Sequence, residues 1–395
     1  MVGSGTQLAA TQPTLAAPAP TPSRPSPAGA PANAVPAVAP HAAVLAATPR
    51  PAAQAAVVPT GQLAPPAPIG AEPTAAAVAA ATPVAAAAPA SAAAPAAEPA
   101  TTGLPPLGPD ARTRIPAPSR VVAFGDLHGD ITALRSALLA GGLIDLHGRW
   151  VGGNTVVVQT GDQIDRGDAD REVLDLLEYV DAFAREAGGA LYALNGNHEV
   201  MNARGYMRYV TRAGFSGFRD VPGIDIQDEA LADVSSRKRA RVAAFRPGGP
   251  YARMLARRNV IMIVGDSVFV HGGILPQYAT IADELNKQTR AWLRGQLAEA
   301  PSALLAADGP LWSRDFSEGA VNCELLAHTL ARMSVARMVV GHTTQDAGIN
   351  AACDGRVWRL DVGMSEHYGG PVQVLEIANG NVRVLRGERW TGATG

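Results

Sequence analysis

The chain repeatedly places a short apolar run within a few residues of a glycine that is followed by a polar side chain able to bind a metal. Residues 121–124, 155–158 and 190–194 are such runs, and segments with helical spacing of apolar residues, 131–139 and 170–187, separate them. A run of this length that stops at glycine is typical of a buried strand. The alternation of strand, polar loop and helix predicts a sheet with parallel neighbours, in which ligands collect at the carboxyl ends of the strands.

The second half of the ordered region is richer in strands. Residues 260–264 and 268–270 form a predicted hairpin, and further strands are predicted at 338–340, 357–360, 372–377 and 382–385. The last two are linked by Asn379-Gly380-Asn381, which favours a tight turn. Together the two halves predict an α/β fold with two packed, mixed β-sheets flanked by helices.

The first hundred residues differ from the rest of the chain because they consist mainly of alanine and proline. They contain no aromatic residue, and their charges are limited to Arg24, Arg50, Glu72 and Glu98. Such a segment cannot bury enough apolar surface to offset the entropy of ordering its backbone. We therefore predict a disordered tail over 1–116 and one folded domain over 117–395, in which the helical or irregular segment 202–258 is a candidate cap.

The charge balance and the cysteines limit the partners and the compartment. The formal net charge of −2 favours neither nucleic acid nor an anionic membrane as a partner. No stretch approaches the ~20 apolar residues of a membrane span, and the first residues lack the basic start of an export signal. A cytoplasmic location is expected, or a periplasmic one if a signal lies upstream of Met1. Cys323 and Cys353 could bridge or stay free, and buried free thiols are expected.

Five strand ends carry residue types that bind metals. The segments are Gly125-Asp126-Leu127-His128-Gly129-Asp130, Gly161-Asp162-Gln163-Ile164-Asp165-Arg166-Gly167, Gly196-Asn197-His198-Glu199, His271-Gly272-Gly273 and Gly341-His342-Thr343. Carboxylate oxygens and imidazole nitrogens suit Mn²⁺, iron or Zn²⁺, and the absence of cysteine argues against a closed structural zinc site. One such segment is weak evidence of a site, but five in this order predict a metal centre.

The order and the residue sequences of these five segments resemble those of the phosphoprotein phosphatase branch of the calcineurin-like metallophosphoesterases. The resemblance covers about residues 121–385. Finer features are similar to the Shewanella-like protein phosphatases, a bacterial-type group within or beside that branch. The features are Gly196-Asn197-His198-Glu199-Val200-Met201-Asn202, Arg208-Tyr209-Val210, Phe269-Val270-His271-Gly272-Gly273-Ile274 and Asp361-Val362-Gly363-Met364-Ser365.

The resemblance implies a pair of divalent metal ions, with manganese as the first expectation and iron or zinc as alternatives. One ion would be held by Asp126, His128 and Asp162. The second would be held by Asp162, Asn197, His271 and His342, so that Asp162 bridges. The family resemblance also makes His198 the general acid, Asp165 its orienting carboxylate, and Arg166 and Arg314 the phosphate-binding arginines. A water between the two ions would be the nucleophile.

The resulting functional hypothesis is a phosphomonoesterase that acts on phosphoproteins, with a preference for phosphotyrosine over phosphoserine or phosphothreonine implied by the resemblance. The nearest alternative is a dinucleoside polyphosphate hydrolase, which shares the five motifs. A nuclease or cyclic-nucleotide phosphodiesterase usually carries Gly-His-x-His at the last motif, whereas this chain has Thr344 there. A non-catalytic binding module that kept the fold is the fourth possibility.

Several residues near the motifs also have ordinary structural interpretations. Asp130 is as well suited to cap a helix as to reach the site. Asp165 and Arg166 could simply pair with each other. The basic cluster Arg237-Lys238-Arg239-Arg241 is interpreted as a solvated helix face rather than as a substrate contact.

Overall fold

The computed structural model describes residues 108–392. The strands are β1 Arg114–Ile115, β2 Arg120–Phe124, β3 Val156–Gln159, β4 Ala190–Ala193, β5 Ile261–Val264, β6 Ser267–Val270, β7 Arg337–Val340, β8 Asn350–Ala352, β9 Val357–Arg359, β10 Gln373–Ala378 and β11 Asn381–Arg386. The α-helices are α1 Ile131–Ala140, α2 Asp170–Glu186, α3 Asn197–Ala203, α4 Arg212–Ser216, α5 Ser236–Phe245, α6 Pro250–Leu255, α7 Ala282–Leu293 and α8 Cys323–Met333. Two single 3₁₀ turns lie at Glu229–Leu231 and Ser302–Leu304. Within 108–392, no helix combines the length and apolar character needed to cross a bilayer.

The strands form two mixed sheets. In the first, the order is β11-β10-β2-β3-β4, with β2, β3 and β4 parallel and β10 antiparallel to β2. In the second, the order is β1-β5-β6-β7-β9-β8, with β6, β7 and β9 parallel. Since parallel strands end at the same edge, each sheet brings several of the polar strand ends together.

Alternation along the strands places one face of each sheet against the other sheet and the opposite face against helices. Val121 and Ala123 of β2 share a buried cluster with Phe269 of β6 and Val339 of β7. The side chains of Val122 and Phe124, on the opposite face of β2, pack in a second cluster that includes residues of α1 and α2. The predicted α/β fold of two packed, mixed sheets flanked by helices is therefore confirmed.

Helix α1 begins where the sequence indicates. Asp130 adopts an extended backbone and its Oδ1 accepts the Ala133 N–H at 2.9 Å, which is an N-cap. Its other carboxylate oxygen accepts the Glu366 N–H and an Arg389 guanidinium. Asp130 is thus the N-cap of α1, and it also lines the groove that passes His128.

Residues just before the predicted boundary at 117 already belong to the folded domain. Most of the tail predicted to be disordered, 1–107, lies outside the described residues, but disorder predicted as far as residue 116 is wrong for the last few. Arg114–Ile115 forms β1, which pairs in parallel with β5, and the Ala111 N–H donates to the Arg257 carbonyl. Backbone pairing with an existing sheet orders a segment that has little apolar surface of its own.

Segment 202–258 contributes to the core of the domain. It contains α4, α5 and α6, and its aromatic residues Phe218, Phe245 and Tyr251 pack against one another at ring distances of 4.9–5.6 Å. They belong to the same buried cluster as Ile261 and Val270 of the second sheet. The segment therefore forms part of the wall of the domain, and its function as a cap remains a prediction.

The two cysteines form a disulfide, so the expectation of buried free thiols is wrong. Cys323 starts α8, Cys353 lies in the turn after β8, and their Cα atoms are 5.5 Å apart. Both residues are only partly buried. Thirty positions separate them in the chain, so only the tertiary arrangement of α8 against the β8–β9 hairpin could reveal the pairing.

Removing this disulfide should destabilise the domain without touching the site. A closed loop of this length predicts a loss of about 3–4 kcal/mol, mainly because the unfolded chain gains freedom. We expect the double variant Cys323→Ser/Cys353→Ser to unfold at a lower guanidinium concentration than the wild type. Dithiothreitol should shift the wild-type midpoint in the same direction and leave the variant unchanged. If dithiothreitol left the wild-type midpoint unchanged, the stabilisation by this disulfide would be contradicted.

Candidate metal centre and active site

The predicted ligands come from the carboxyl ends of strands in both sheets. In the first sheet, Asp126 follows β2, Asp162 follows β3, and Asn197 begins α3 directly after β4. In the second sheet, His271 follows β6 and His342 follows β7. All of these except the partly buried His342 have less than a tenth of their surface exposed. Side chains separated by more than two hundred positions thus meet where the two sheets adjoin.

Asp162 is shared between two groups of potential ligands. Its Oδ2 lies 3.9 Å from His128 Nε2 and 3.7 Å from His198 Nε2. Its Oδ1 lies 3.3 Å from His271 Nε2, which in turn is 3.1 Å from His342 Nδ1. Asp126 extends both groups, because its Oδ2 is 3.9 Å from His128 Nε2 and its Oδ1 is 3.9 Å from His271 Nδ1. A carboxylate divided in this way is suited to bridge two cations.

Backbone carbonyls fix the orientation of two imidazoles. His128 Nδ1 lies 3.3 Å from the Ile164 carbonyl and His271 Nδ1 lies 3.0 Å from the Thr160 carbonyl. A carbonyl only accepts, so in the neutral form of both rings Nδ1 carries the proton and Nε2 presents a lone pair to the centre. Burial lowers the pKa of His128 to about 3 and the pKa of His342 to about 2. Neutral, oriented imidazoles are what a metal requires.

In the second group of ligands, several hydrogen-bond acceptors lie close together and few donors are available to them. His271 Nε2 is 2.8 Å from Asn197 Oδ1, 3.1 Å from His342 Nδ1 and 3.3 Å from Asp162 Oδ1. The Asn197 carboxamide can present either end to these atoms: its nitrogen would donate to His271 and Asp162, whereas its oxygen suits a bound cation.

Buried carboxylates add to the demand for positive charge. Burial, reinforced by Asp361 and Asp162, raises the pKa of Asp126 well above its usual range. Burial alone would also raise the pKa of Asp162, but the imidazoles of His271 and His198 hold it well below its usual range. A donor set of carboxylate, imidazole and amide groups with this charge fits divalent metal ions.

The backbone of the site is unusually tight. Cβ atoms placed on Gly161 and Gly196 would lie 2.8 Å from the Gly196 Cα and 2.2 Å from the Asp162 Oδ1, so the two loops approach each other only as glycine. Several of the functional side chains stand on left-handed backbone. These are His128 (φ 46°), Asp162 (φ 55°), Asp165 (φ 72°), Arg166 (φ 69°) and His342 (φ 66°). Such strain in non-glycine residues is characteristic of functional sites.

Glu199 joins the loops after β3 and β4. Its carboxylate accepts the N–H groups of Asp162 at 2.9 Å, Gln163 at 2.9 Å and Gly196 at 2.7 Å. Burial, reinforced by the charge of Asp162, raises the pKa of Glu199 to about 7. Glu199 therefore both stands in the first turn of α3 and holds the backbone of the metal-binding loops in place.

His198 and Asp165 form a hydrogen-bonded pair beside the metal-binding groups. His198 Nδ1 lies 2.7 Å from Asp165 Oδ2, and Nε2 faces Asp162. Burial opposes the charged imidazolium, yet the carboxylates of Asp162 and Asp165 outweigh burial and raise the pKa of His198. A protonated imidazole held in this way can donate a proton from Nε2.

The two predicted arginines occupy different settings at the rim. The guanidinium of Arg166 lies between the rings of Tyr209 and Tyr368, at 5.0 and 5.3 Å from their centroids, and its buried Nε has no hydrogen-bond partner among 108–392. Arg314 is exposed and donates from Nη1 to the Thr343 hydroxyl at 2.7 Å, one residue from His342. An open groove of about 380 Å³ passes His128 and Arg166.

Asp165 pairs with an arginine, but not with its neighbour Arg166. Its partner is Arg241, which is completely buried and whose Nη2 donates to Asp165 Oδ1 at 3.1 Å. The interpretation of Arg241 as part of a solvated basic face is therefore wrong. The other members of that cluster, Arg237, Lys238 and Arg239, are exposed or partly exposed.

Two tyrosines that the sequence motifs did not indicate stand beside the site. Tyr209 and Tyr368 each approach a site histidine, at ring distances of 5.1 Å from His198 and 5.4 Å from His128. A tyrosine in a loop carries no signal of its own. The one available signal was its position within a stretch already noted for family resemblance, 208–210. Thr344, at the position that argues against a nuclease, donates to Asp361 at 3.1 Å.

Comparisons with known proteins agree with this geometry. The profile of the calcineurin-like phosphoesterase family matches residues 119–345. The chain is 40% identical to Shewanella-like protein phosphatase 2 of Arabidopsis thaliana over 69% of this chain and 79% of that protein. It is 27% identical to Shewanella-like protein phosphatase 1 of Plasmodium berghei over 68% of this chain and 74% of that protein.

A solved structure shows the same fold. The crystal structure of a cold-active protein-tyrosine phosphatase of a psychrophilic Shewanella species superposes with a TM-score of 0.56 at 25% identity, covering 70% of this chain and 83% of that one. The family match extends over more than half of the sequence and includes all five motifs. The chain therefore belongs to the calcineurin-like metallophosphoesterases, metal-dependent enzymes that hydrolyse phosphoesters.

Proposed function

We propose that this enzyme is a two-metal protein phosphatase that removes phosphate from protein side chains. The observation that carries the proposal is the division of Asp162 between two groups of ligands, directly beside the His198–Asp165 pair. In this proposal Asp126, His128 and Asp162 hold one ion. Asp162, Asn197, His271 and His342 hold the other.

The metal pair, when bound, would polarise the phosphoryl oxygens and make water nucleophilic near neutral pH. The ligand set of oxygen and nitrogen donors without thiolate supports manganese as the first candidate, with iron or zinc as alternatives. The buried neutral imidazoles and the excess of carboxylates support binding of divalent ions in general.

The chain's own residues would complete the reaction. Arg166 and Arg314 would bind the phosphoryl oxygens through planar, charge-assisted hydrogen bonds, and Arg166 lines the open groove beside His128. His198 would donate the proton of Nε2 to the leaving oxygen while Asp165 holds Nδ1. The proton therefore moves from the imidazolium to the departing alcohol or phenol.

Phosphotyrosine is the proposed substrate residue. Tyr206 is 46% exposed and Tyr368 is 40% exposed. The ring of Tyr209 contacts those of Tyr206 and His198, and the ring of Tyr368 lies 5.4 Å from that of His128. Exposed aromatic rings favour stacking with an aromatic leaving group. The structural relative described above is itself named a protein-tyrosine phosphatase.

A direct substrate comparison tests the proposal. The purified protein, stripped with a chelator and reloaded with Mn²⁺, Fe²⁺ or Zn²⁺, would be assayed on matched phosphotyrosine and phosphoserine peptides and on diadenosine tetraphosphate. We expect no turnover in the stripped protein, recovery with metal, and the highest kcat/KM for the phosphotyrosine peptide. Hydrolysis of diadenosine tetraphosphate alone would instead establish the dinucleoside polyphosphate hydrolase. Turnover of no substrate with any metal would support the non-catalytic binding module.

A further inference from the structure

Arg241 is a buried cation in a helix whose other basic residues face solvent. Its side chain has no exposed surface, although α5 also carries the exposed or partly exposed Arg237, Lys238 and Arg239. An ionised guanidinium is retained in a protein interior only when its charge and its donors are matched by partners. The partners of Arg241 therefore indicate why it is there.

The guanidinium is held on all of its edges. Nε donates to Asn202 Oδ1 at 2.8 Å, Nη1 donates to Asp170 Oδ2 at 2.5 Å and to the Gly214 carbonyl at 3.0 Å, and Nη2 donates to Asp165 Oδ1 at 3.1 Å. The rings of Phe218 and Phe245 lie over it, each centroid 5.0 Å from Cζ. Water is excluded from the group, and its geometry is fixed.

The same network determines the position of the Asp165 carboxylate. Oδ1 accepts from Arg241, while Oδ2 lies 2.7 Å from His198 Nδ1. Asn202 Nδ2 donates to both Asp165 oxygens and to the His198 carbonyl, each at 3.0 Å. The Asp165 backbone N–H donates to Asp170 Oδ1 at 2.8 Å. Without Arg241, two buried carboxylates, Asp165 and Asp170, would face each other with no fixed cation between them.

We propose that Arg241 is a positioning residue for the general acid: it anchors Asp165, which holds the His198 imidazole with Nε2 directed at the leaving oxygen. This inference rests on the proposed function, because it assumes that His198 donates a proton during phosphoester cleavage. It assigns to segment 202–258 a part in catalysis that does not depend on covering the substrate.

Leaving-group dependence distinguishes positioning from general support of the fold. Phenyl phosphate and p-nitrophenyl phosphate have similar shapes, but p-nitrophenolate departs without a proton, whereas phenolate benefits from one. We expect Arg241→Met to lower kcat on phenyl phosphate by about 10–100-fold, the range known for residues that orient metal ligands through hydrogen bonds. The loss on p-nitrophenyl phosphate should be severalfold smaller, and KM should change little for either.

A double-mutant cycle provides the second readout. In the background of Asp165→Asn, the added Arg241→Met change should cause little further loss, because both act through the same imidazole. Arg241→Lys keeps a cation but loses most of the hydrogen-bond donors. Its kcat on phenyl phosphate should therefore lie between those of the wild type and Arg241→Met. It also keeps the test open if the methionine variant does not fold.

Arg257→Met is the matched control, since Arg257 is a mostly buried arginine paired with Glu178 and has no contact with Asp165. It should alter stability and leave the ratio of the two substrates unchanged. Equal losses on both substrates for Arg241→Met and Arg241→Lys, or losses that add to those of Asp165→Asn, would overturn the positioning function. If His198→Ala left both substrates unaffected, the proposed function itself would fail, which is a different result.

Discussion

Asp162→Asn should abolish most of the activity while leaving the fold intact. The amide keeps the shape of the side chain but loses the negative charge that faces both groups of ligands. Metal ions contribute several kcal/mol to transition-state stabilisation, and each 1.36 kcal/mol is a factor of ten in rate. We therefore expect kcat to fall by about 10³-fold or more, and the metal content measured by mass spectrometry to fall below two ions per chain.

Asp220→Asn is the control for that variant. Asp220 is an exposed carboxylate paired with Arg171 on the surface, so its metal content and turnover should match those of the wild type. Retention of two ions and full turnover by Asp162→Asn would show that this carboxylate does not bridge the metals. Circular dichroism would verify that both variants are folded.

His198→Ala should produce the second-largest effect, and one that depends on the leaving group. General acids contribute about 10²–10⁴-fold, so hydrolysis of phenyl phosphate should fall by that factor. The loss on p-nitrophenyl phosphate should be on the order of tenfold or less, because that leaving group needs no proton. The measurement is kcat for the two substrates at saturating Mn²⁺.

His328→Ala serves as the control because His328 is an exposed residue of α8 and lies outside the five motifs. Metal content must be measured alongside, since His198 Nε2 is 3.7 Å from Asp162 and could also contribute to ion binding. A variant that loses a metal ion and slows equally on both substrates would identify His198 as a ligand rather than as the acid.

The fold and the convergence of the site could be predicted because their signals are local. A β-branched run that ends at glycine is a property of six or seven consecutive residues, and the strand-end glycines 125, 161 and 196 each precede a polar ligand type. Once the strands are parallel neighbours, their carboxyl ends must meet. The residues that the structure brings together could therefore be predicted from the sequence.

What could not be predicted depends on partners distant in the chain. Arg241 looks like any basic residue of a surface helix until Asp165 and Asp170, 76 and 71 positions earlier, are placed against it. Strand β8 has the unremarkable sequence Asn-Ala-Ala and exists through its pairing with β9. In both cases tertiary contacts decide the outcome, and helical or strand periodicity carries no information about them.

Five of the side chains that carry the chemistry stand on backbone that an L-residue adopts reluctantly, from His128 to His342. Each such conformation costs on the order of 1 kcal/mol or more, which glycine would largely avoid. Glycine appears where two loops touch, and bulky functional groups remain where glycine would be easier to fold. At these positions the side chain that the reaction needs therefore lowers the free energy of unfolding. The apolar layers on either face of the two sheets must supply the stability that offsets this cost.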